Sequence, residues 1–521
     1  MEGGQQDSGC VAITGIGLVT SVGLTAASTL AAIRGALPGF SEHETVMVNG
    51  DSYGTELCGA RIARLPEHIV PRHVSGVERA VALLAPAIRE CTSGIPDDML
   101  GHVAWRIRNW IQPEAGNFVD ILNGEFRNIP GSISSRGTLD ELSLGRCLFF
   151  EDIMQAMADL RNGSCRMALV ACVDSLCETT VLDRLCERGR LKSGTNPMGL
   201  VAGEAAGAVL LELKSHAGRR KAPLYAFISA WGRGREAEPW TPETRSSATG
   251  LSSAFLEAFA LFPKKGAEID LVVADLNGEN IRAREWGTAV GRIYPNGGKE
   301  RELKHPADCV GDCGAAMGSV LIATAVDLMS GMSAPLAGAV STSDEQGARH
   351  VLCLEQGDEA GRDAVIRVGM GMGRSILPSV VEQHVDEANS LWMVRNHLVL
   401  APHCGISELA RHDARLEAHL HGIRLAGEAG WELCGELLES AQSEDVFAPA
   451  VLAFENGADD RLREVLASVR QDKDKVRAVI SALGWLTYEQ AEPHIGNFLA
   501  SESGFHRYIG IAASALHRRD P

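Results

Sequence analysis

The stretch Gly199-Leu200-Val201-Ala202-Gly203-Glu204-Ala205-Ala206-Gly207-Ala208-Val209-Leu210-Leu211-Glu212 decides the reading of the fold. Residues 206 to 213 form a strand-like, mostly apolar run that comes after glycines at 199 and 203, with Gly207 at its start. A short apolar run bounded by turn signals reads as a buried strand. Working outward, Val11-Ala12-Ile13-Thr14-Gly15-Ile16-Gly17 is a β-branched run ending in glycines, read as a buried strand turning into a loop, and residues 25 to 34 read as a helix. Residues 149 to 161 read as a helix closed by Asn162-Gly163, leading into a strand over 166 to 173. After Pro223 the chain is extended over 224 to 231, helical over 252 to 262, extended over 269 to 276 and helical over 315 to 330. Such alternation predicts an α/β fold with a mostly parallel sheet covered by helices. Its two runs, about 10 to 213 and about 222 to 355, suggest an internal duplication.

With 521 residues the chain is longer than one hydrophobic core usually serves, since single domains stop growing at roughly 250 to 300 residues. At least two domains are expected. The net charge of −18 would repel a nucleic-acid backbone or an anionic membrane surface on average, so neither is expected as a partner. The short basic cluster Arg219-Arg220-Lys221 reads as a solvated loop. Thirteen cysteines are scattered without a C-x-x-C pair, and the closest spacings, Cys172 to Cys177 and Cys309 to Cys313, lack nearby histidines at zinc spacing. No metal and no cofactor are expected. Residues 1 to 9, read as a disordered N-terminus, contain no basic segment followed by an apolar one, and no run of 18 apolar residues occurs. The expectation is a cytoplasmic protein with reduced thiols.

The texture changes after Gly373. Residues 376 to 521 show no convincing strands, and amphipathic helices are predicted over 408 to 439, 446 to 454, 460 to 470, 473 to 483, 489 to 500 and 505 to 517. The stretches Ala450-Val451-Leu452-Ala453 and Ala478-Val479-Ile480-Ser481 begin alike, 28 residues apart, which points to stacked helix pairs. Residues 356 to 375 read as a linker, with the glycine-rich run at 369 to 373 as its hinge. The histidines at 397, 403, 412, 419 and 421 do not share one face at i, i+4 spacing, so they read as a solvated helix face.

Three motifs carry a family resemblance. Residues 11 to 23 resemble the V-x-I-T-G-x-G-x-V-T-x-x-G start of the β-ketoacyl synthases; a dinucleotide loop would need glycine where Thr20 stands. Residues 199 to 212 resemble the G-x-x-x-G-E-G-A-G-x-x-x-L-E strand of the same family, and Gly311-Asp312-Cys313-Gly314-Ala315-Ala316-Met317-Gly318 resembles, one residue short, its G-H-x-x-G-A-A-G loop. The resemblance implies a thiolase-like five-layer αβαβα duplication over 10 to 355, dimerising through its central sheets. Residues 378 to 388 and 416 to 431 resemble the start of a HEAT-like family encoded in type VI secretion loci, which implies an all-α HEAT-like helical-repeat domain over 376 to 521.

Condensing enzymes of this family use a cysteine at a helix N-terminus and two histidines that stabilise an enolate. Counting back from the strand at 169 to 173, the nucleophile position falls on Arg146, with Cys147 one residue later and rotated by about 100° on a helix. The first histidine position holds Asn277, within Leu276-Asn277-Gly278-Glu279-Asn280, and the second holds Asp312. Asparagine cannot exchange protons near neutral pH, and an ionised carboxylate cannot donate to an enolate oxygen. No catalytic residue is therefore expected, and Arg146, Cys147, Asn277, Glu279 and Asp312 mark a vestigial pocket. Among the remaining histidines, His305 is the one that could stand in. An Arg146 side chain paired with Asp312 would close the pocket, whereas a Cys147 thiol facing a tunnel would revive catalysis.

The first functional reading is a non-catalytic thiolase-fold adaptor or chaperone that binds a partner protein, such as a secreted effector during type VI loading. A second is a 3-oxoacyl-[acyl-carrier-protein] synthase-like acyltransferase in which Cys147, helped by Asn277 or a protonated Asp312, takes an acyl group from acyl carrier protein or acyl-CoA. A third is the inactive subunit of a ketosynthase heterodimer. Each implies a homo- or heterodimer.

Overall fold

A computed structural model describes residues 9–43, 59–71, 73–109, 118–126, 145–194, 196–238, 246–263, 269–294, 301–330, 337–358, 361, 376–439, 442–469 and 472–519. The terminus at 1–8, most of the expected linker and its glycine-rich hinge lie outside these residues. Two compact units are present, one of Met1–Ile33 and Pro38–Gly373, the other of Arg34–Leu37 and Arg374–Pro521.

Among the described residues the first unit is built on eleven strands: β1 (Val11–Thr20), β2 (Ser41–His43), β3 (Ala60–Ala63), β4 (Val103–Asn109), β5 (Met167–Ser175), β6 (Ala202–Leu213), β7 (Ala226–Arg235), β8 (Ile269–Ala274), β9 (Glu302–Lys304), β10 (Ala337–Ser343) and β11 (Ala348–Gln356). They pair in the order β4-β5-β6-β1-β7-β11-β10-β8-β9, with β3 and then β2 joined to the start of β6. The order is palindromic. On one side β4 runs parallel to β5, which is antiparallel to β6, itself antiparallel to β1. On the other, β8 runs parallel to β10, which is antiparallel to β11, itself antiparallel to β7. β1 and β7 join the halves over Val11 to Ile13.

Two expectations need correction here. The sheet is not mostly parallel: only four of the pairings above are parallel, because β6 and β11 return beside their predecessors without a crossover that would reverse their sense. Nor does β1 end at Gly17; it runs on to Thr20, and all ten of its residues are buried. Its glycines make room for a neighbour instead of a turn. A Cβ on Gly17 would stand 1.9 Å from the carbonyl oxygen of Ala87, on the covering helix Gly76–Thr92. Gly207 of β6 does the same for Ser319, whose Oγ would lie 1.9 Å from the added carbon.

Two further helices, Leu148–Arg161 and Met317–Ser330, enter directly before β5 and β10 and touch one another. In the second, every residue from Met317 to Asp327 is buried, the signature of a helix enclosed on all sides. Arg219-Arg220-Lys221 is not simply a solvated loop. Arg220 sits on the helix Lys214–Arg220 and pairs with the fully buried carboxylate of Glu212, which also accepts from Thr14 Oγ1 at 2.6 Å.

The second unit is helical throughout its described residues from 376 onward: Pro378–Leu398, Ile406–Ala426, Glu428–Leu437, Phe447–Asn456, Asp459–Ser468, Lys473–Trp485, Tyr488–Leu499 and Gly504–Leu516. The single helix expected over 408 to 439 is two, broken at Gly427, whose φ of 60° takes it out of the right-handed helix. Side-chain caps start the later helices: Asp472 accepts from the amides of Asp474 and Lys475, and Thr487 forms a reciprocal box with Gln490. The core centres on Phe447, stacked on Trp392 at 5.4 Å and edge-on to Trp485 at 5.9 Å. The histidine reading also changes. His419 is buried rather than solvated, its Nδ1 lies 3.1 Å from Nδ1 of buried His384, and burial lowers both, to about 4 and about 3, which keeps them neutral.

Candidate functional site

The N-termini of the two central helices face one another through charge. Gly145 O accepts from Leu148 N at 3.0 Å, so Arg146 and Cys147 form the turn that opens the helix Leu148–Arg161. Opposite it, Asp312 is stitched to the start of β6: its amide donates to Val201 O at 2.7 Å and its carbonyl accepts from Gly203 N at 2.9 Å. A short 3-10 turn, Gly314–Ala316, then leads into the helix Met317–Ser330.

Arg146, 1% exposed, donates from Nε to Asp312 Oδ1 at 3.1 Å, from Nη2 to Asp312 Oδ2, and from Nη1 to Glu345 Oε1 at 2.6 Å. Asn277 Nδ2 donates to Asp312 Oδ2 at 2.8 Å and to Glu279 Oε2 at 2.9 Å. Glu279 is clasped by Arg190, whose Nε and Nη2 donate to its two oxygens at 2.7 Å each, and Arg190 Nη2 also reaches Glu345 Oε1 at 3.2 Å. Arg282 completes the cluster: Nη2 donates to Ser343 O at 3.1 Å and lies 3.7 Å from Glu345 Oε1, while its Nε and Nη1 find no partner among the described residues. Three guanidinium groups thus share one buried compartment with three carboxylates.

The electrostatics follow from this pairing. Burial opposes the charge of Arg146, but Asp312 and Glu345 outweigh it and hold the guanidinium well above its usual range. Burial alone would raise the Asp312 carboxyl; the nearby Arg146 charge and the hydrogen bonds from Arg146 and Asn277 hold it below the usual carboxylate range instead. Glu345 is likewise held low, with Arg146, Arg190 and Arg282 overcoming burial. By contrast Asp174, which accepts from the amides of Ala315 at 2.7 Å and Ser175 at 2.8 Å, is pushed by burial up to about 7. Backbone amides alone do not offset its desolvation.

Of the residues singled out from sequence, Arg146, Asn277, Glu279 and Asp312 meet in one hydrogen-bonded network. Cys147 does not join them. Its thiol donates to Ala348 O at 3.3 Å, and burial, reinforced by Asp344 and Asp275, pushes it well above the ordinary thiol range. The protonated Asp312 that an acyl-transfer reading calls on is not what these surroundings favour. His305 pairs with Asp308 at 2.8 Å and makes no bond to the network among the described residues. Sequence reasoning missed Arg190, Glu345 and Arg282. Glu345 lies in the turn between β10 and β11, 199 residues from Arg146, and no local pattern marks it. The signal available was that three charged residues near predicted strand ends need buried counter-charges.

Every described cysteine is a free thiol, and no group of three or more His, Cys, Asp or Glu among the described residues is arranged to hold a metal ion. No described helix is long and apolar enough to cross a membrane.

No protein-family model matches the chain, and a search of curated proteins finds no relative. Solved structures do resemble it. A type II polyketide ketosynthase in complex with its acyl carrier protein and bound to the hexaketide is 13% identical, with TM-score 0.55, covering 67% of this chain and 99% of its own. The ishigamide ketosynthase/chain length factor is 18% identical with TM-score 0.52, again covering 67% and 99%. A ketosynthase of the bacillaene polyketide synthase from Bacillus amyloliquefaciens is 12% identical with TM-score 0.51, covering 67% of this chain and 75% of its own. The first two-thirds of the chain therefore has a ketosynthase/thiolase-like α/β fold, and the C-terminal region is helical.

Proposed function

We propose that this chain is a thiolase-fold binding protein, without condensing activity, whose helical unit serves as an arm for a partner protein. The observation that carries the reading is the Arg146 guanidinium, locked between Asp312 and Glu345 where the resemblance calls for a nucleophile. A condensing pocket needs a thiolate and donors aimed at developing negative charge. Here the adjacent Cys147 thiol is buried, pushed well above the ordinary thiol range and turned to Ala348 O, and the second histidine position carries a carboxylate held below its usual range. The five-layer arrangement, the HEAT-like character of the helical unit and a role as adaptor or chaperone in type VI effector loading belong to this reading, and rest on the sequence resemblances.

The test is acylation. Incubating the protein with acyl-CoA and with acyl-loaded carrier protein, then measuring intact mass, should leave the mass unchanged. An acyl adduct that disappears in Cys147→Ser would establish the acyltransferase instead. A second reading, an inactive subunit paired with an active ketosynthase, is favoured by the likeness to a ketosynthase/chain length factor. Co-expression with candidate ketosynthases and native mass spectrometry distinguishes it, because the heterodimer would form with a ketosynthase whose cysteine is intact.

A further inference from the structure

Three histidines of the helical unit meet at one place. His384 belongs to the helix Pro378–Leu398, His419 and His421 to the helix Ile406–Ala426, and the segment Arg34–Leu37, part of the same compact unit, completes the cluster. The neighbours fix where each proton sits. A carbonyl oxygen can only accept, so His419 Nε2, 3.1 Å from Gly35 O, carries the hydrogen and His419 Nδ1 is left as a lone pair. His384 Nδ1, 3.1 Å from that lone pair, is then the donor to it. A guanidinium can only donate, so His421 Nδ1 accepts from Arg34 Nη2 at 2.7 Å, and the His421 hydrogen lies on Nε2, which finds no partner among the described residues. Space is closed as well. His384 and His419 are buried, an added Cβ on Gly422 would stand 2.5 Å from His384 Nε2, and one on Gly35 would stand 2.9 Å from the His419 ring.

This arrangement has no room for a further proton. On His419 it would go to Nδ1, against the N–H of His384; on His421 it would go to Nδ1, against the N–H of Arg34. Charge adds to the geometry. Besides the histidines themselves, Arg34, Arg415 and Arg424 act on the rings. Glu387, three residues from His384, accepts from Arg415 at 2.9 Å, and Glu417 and Glu455 accept from Arg424, so these carboxylates are engaged and none bonds to a ring. Burial first, then the neighbouring cations, holds His384 at about 3, His419 at about 4 and His421 at about 3, all below the ordinary 6.5. We infer that the cluster is an acid-released latch: proton uptake below about pH 6 parts the helices Pro378–Leu398 and Ile406–Ala426 and so opens the first helix pair of the unit. The folded values lie below the unfolded one, so the closed form is fully favoured above about pH 6.5 and loses up to about tenfold per histidine per pH unit as pH falls from there toward 4. The inference goes beyond the binding-protein reading and does not depend on it.

Hydrogen exchange of the full-length protein, read by mass spectrometry and corrected for the intrinsic rate at each pH, follows the opening. Between about pH 7 and 5, protection of peptides from 378–398 and 406–426 should fall by about a hundredfold or more and return when the pH is restored, while residues 317–330 keep theirs. His419→Gln/His421→Gln retains a donor for Gly35 O and an acceptor for Arg34 without a titrating ring, and should lessen the fall by about tenfold or more. Arg34→Gln removes the cation facing His421 and should move the opening to lower pH; it decides the matter if the double variant is already open at neutral pH. The inference is overturned by protection that does not change over this range, by a fall shared equally by residues 317–330, by an undiminished fall in a folded double variant, or by an Arg34→Gln midpoint that stays or rises.

Discussion

The helices Leu148–Arg161 and Met317–Ser330 occupy matching places in the palindromic sheet, each entering the strand that pairs with the return strand of its half. Their N-termini differ in charge: Arg146 stands before the first and Asp312 before the second. A carboxylate at a helix N-terminus is favoured by the helix dipole and a guanidinium is opposed by it. Asp312 accordingly accepts from Gly314 N at 3.1 Å as well as from Arg146. Arg146 has no such local support and depends on its carboxylate partners. The difference teaches that a guanidinium can be buried at one helix start when the matching start in the other half supplies the opposite charge.

The largest effect should come from breaking that pair. Asp312→Ala leaves Arg146 buried with half its counter-charge gone and should cost about 3 to 5 kcal/mol in urea unfolding, whereas Arg146→Met/Asp312→Leu should recover most of the loss. If the double variant is no better than the single, the two helix ends are not energetically linked.

A third buried carboxylate sharpens the comparison through pH. Glu90 accepts only backbone amides, from Leu18 at 3.0 Å and Ala26 at 2.8 and 2.9 Å, and burial pushes it up to about 8. Between the unfolded value, about 4.3, and 8 the folded chain keeps a proton that the unfolded chain has released, so stability falls as pH rises through this window, by up to about 1.4 kcal/mol per unit. Glu90→Gln should flatten that fall between pH 5 and 8. Asp312 and Glu345 act with the opposite sign: their contribution is present above the unfolded carboxylate range and is lost as pH drops below about 4. Unfolding midpoints of both variants across pH measure the two slopes.

Gly207→Ala tests the close approach of β6 to the second helix. The added carbon meets Ser319, whose hydroxyl donates to Ala316 O at 2.7 Å, so a loss of about 1 to 3 kcal/mol is expected. Adding Ser319→Gly should return part of it. The smallest effect belongs to Cys147→Ser, which keeps a donor facing Ala348 O and should change stability by less than about 1.5 kcal/mol. In the native protein Cys147 should resist iodoacetamide at pH 8 while partly exposed Cys404 reacts, as peptide mapping would record.

How much was legible in the sequence depended on whether the cause was local. The presence of β1 and β6 was, because buried strands leave a compact apolar pattern, but the glycines of β1 read as a turn where they are helix contacts. β4 was not: it alternates buried Val103, Trp105 and Ile107 with Arg106 and Arg108, which pair with Asp159 and Asp152 on a helix far along the chain. At the site, the positions of Arg146, Asn277 and Asp312 followed from motif spacing. Their meaning depended on Glu345 and Arg190, which only the folded sheet brings near. The break at Gly427 was misread because a single glycine within an amphipathic run can be either tolerated or a terminus.

The turn that carries Glu345 has a consequence for how the chain is made. During synthesis Arg146 and Arg190 leave the ribosome long before residue 345 does, so the first half must wait with two cations whose shared carboxylate does not yet exist. A ribosome stalled before the β10–β11 hairpin is therefore expected to hold a nascent chain that proteases cut more readily than one stalled after it, as limited proteolysis of the two would record.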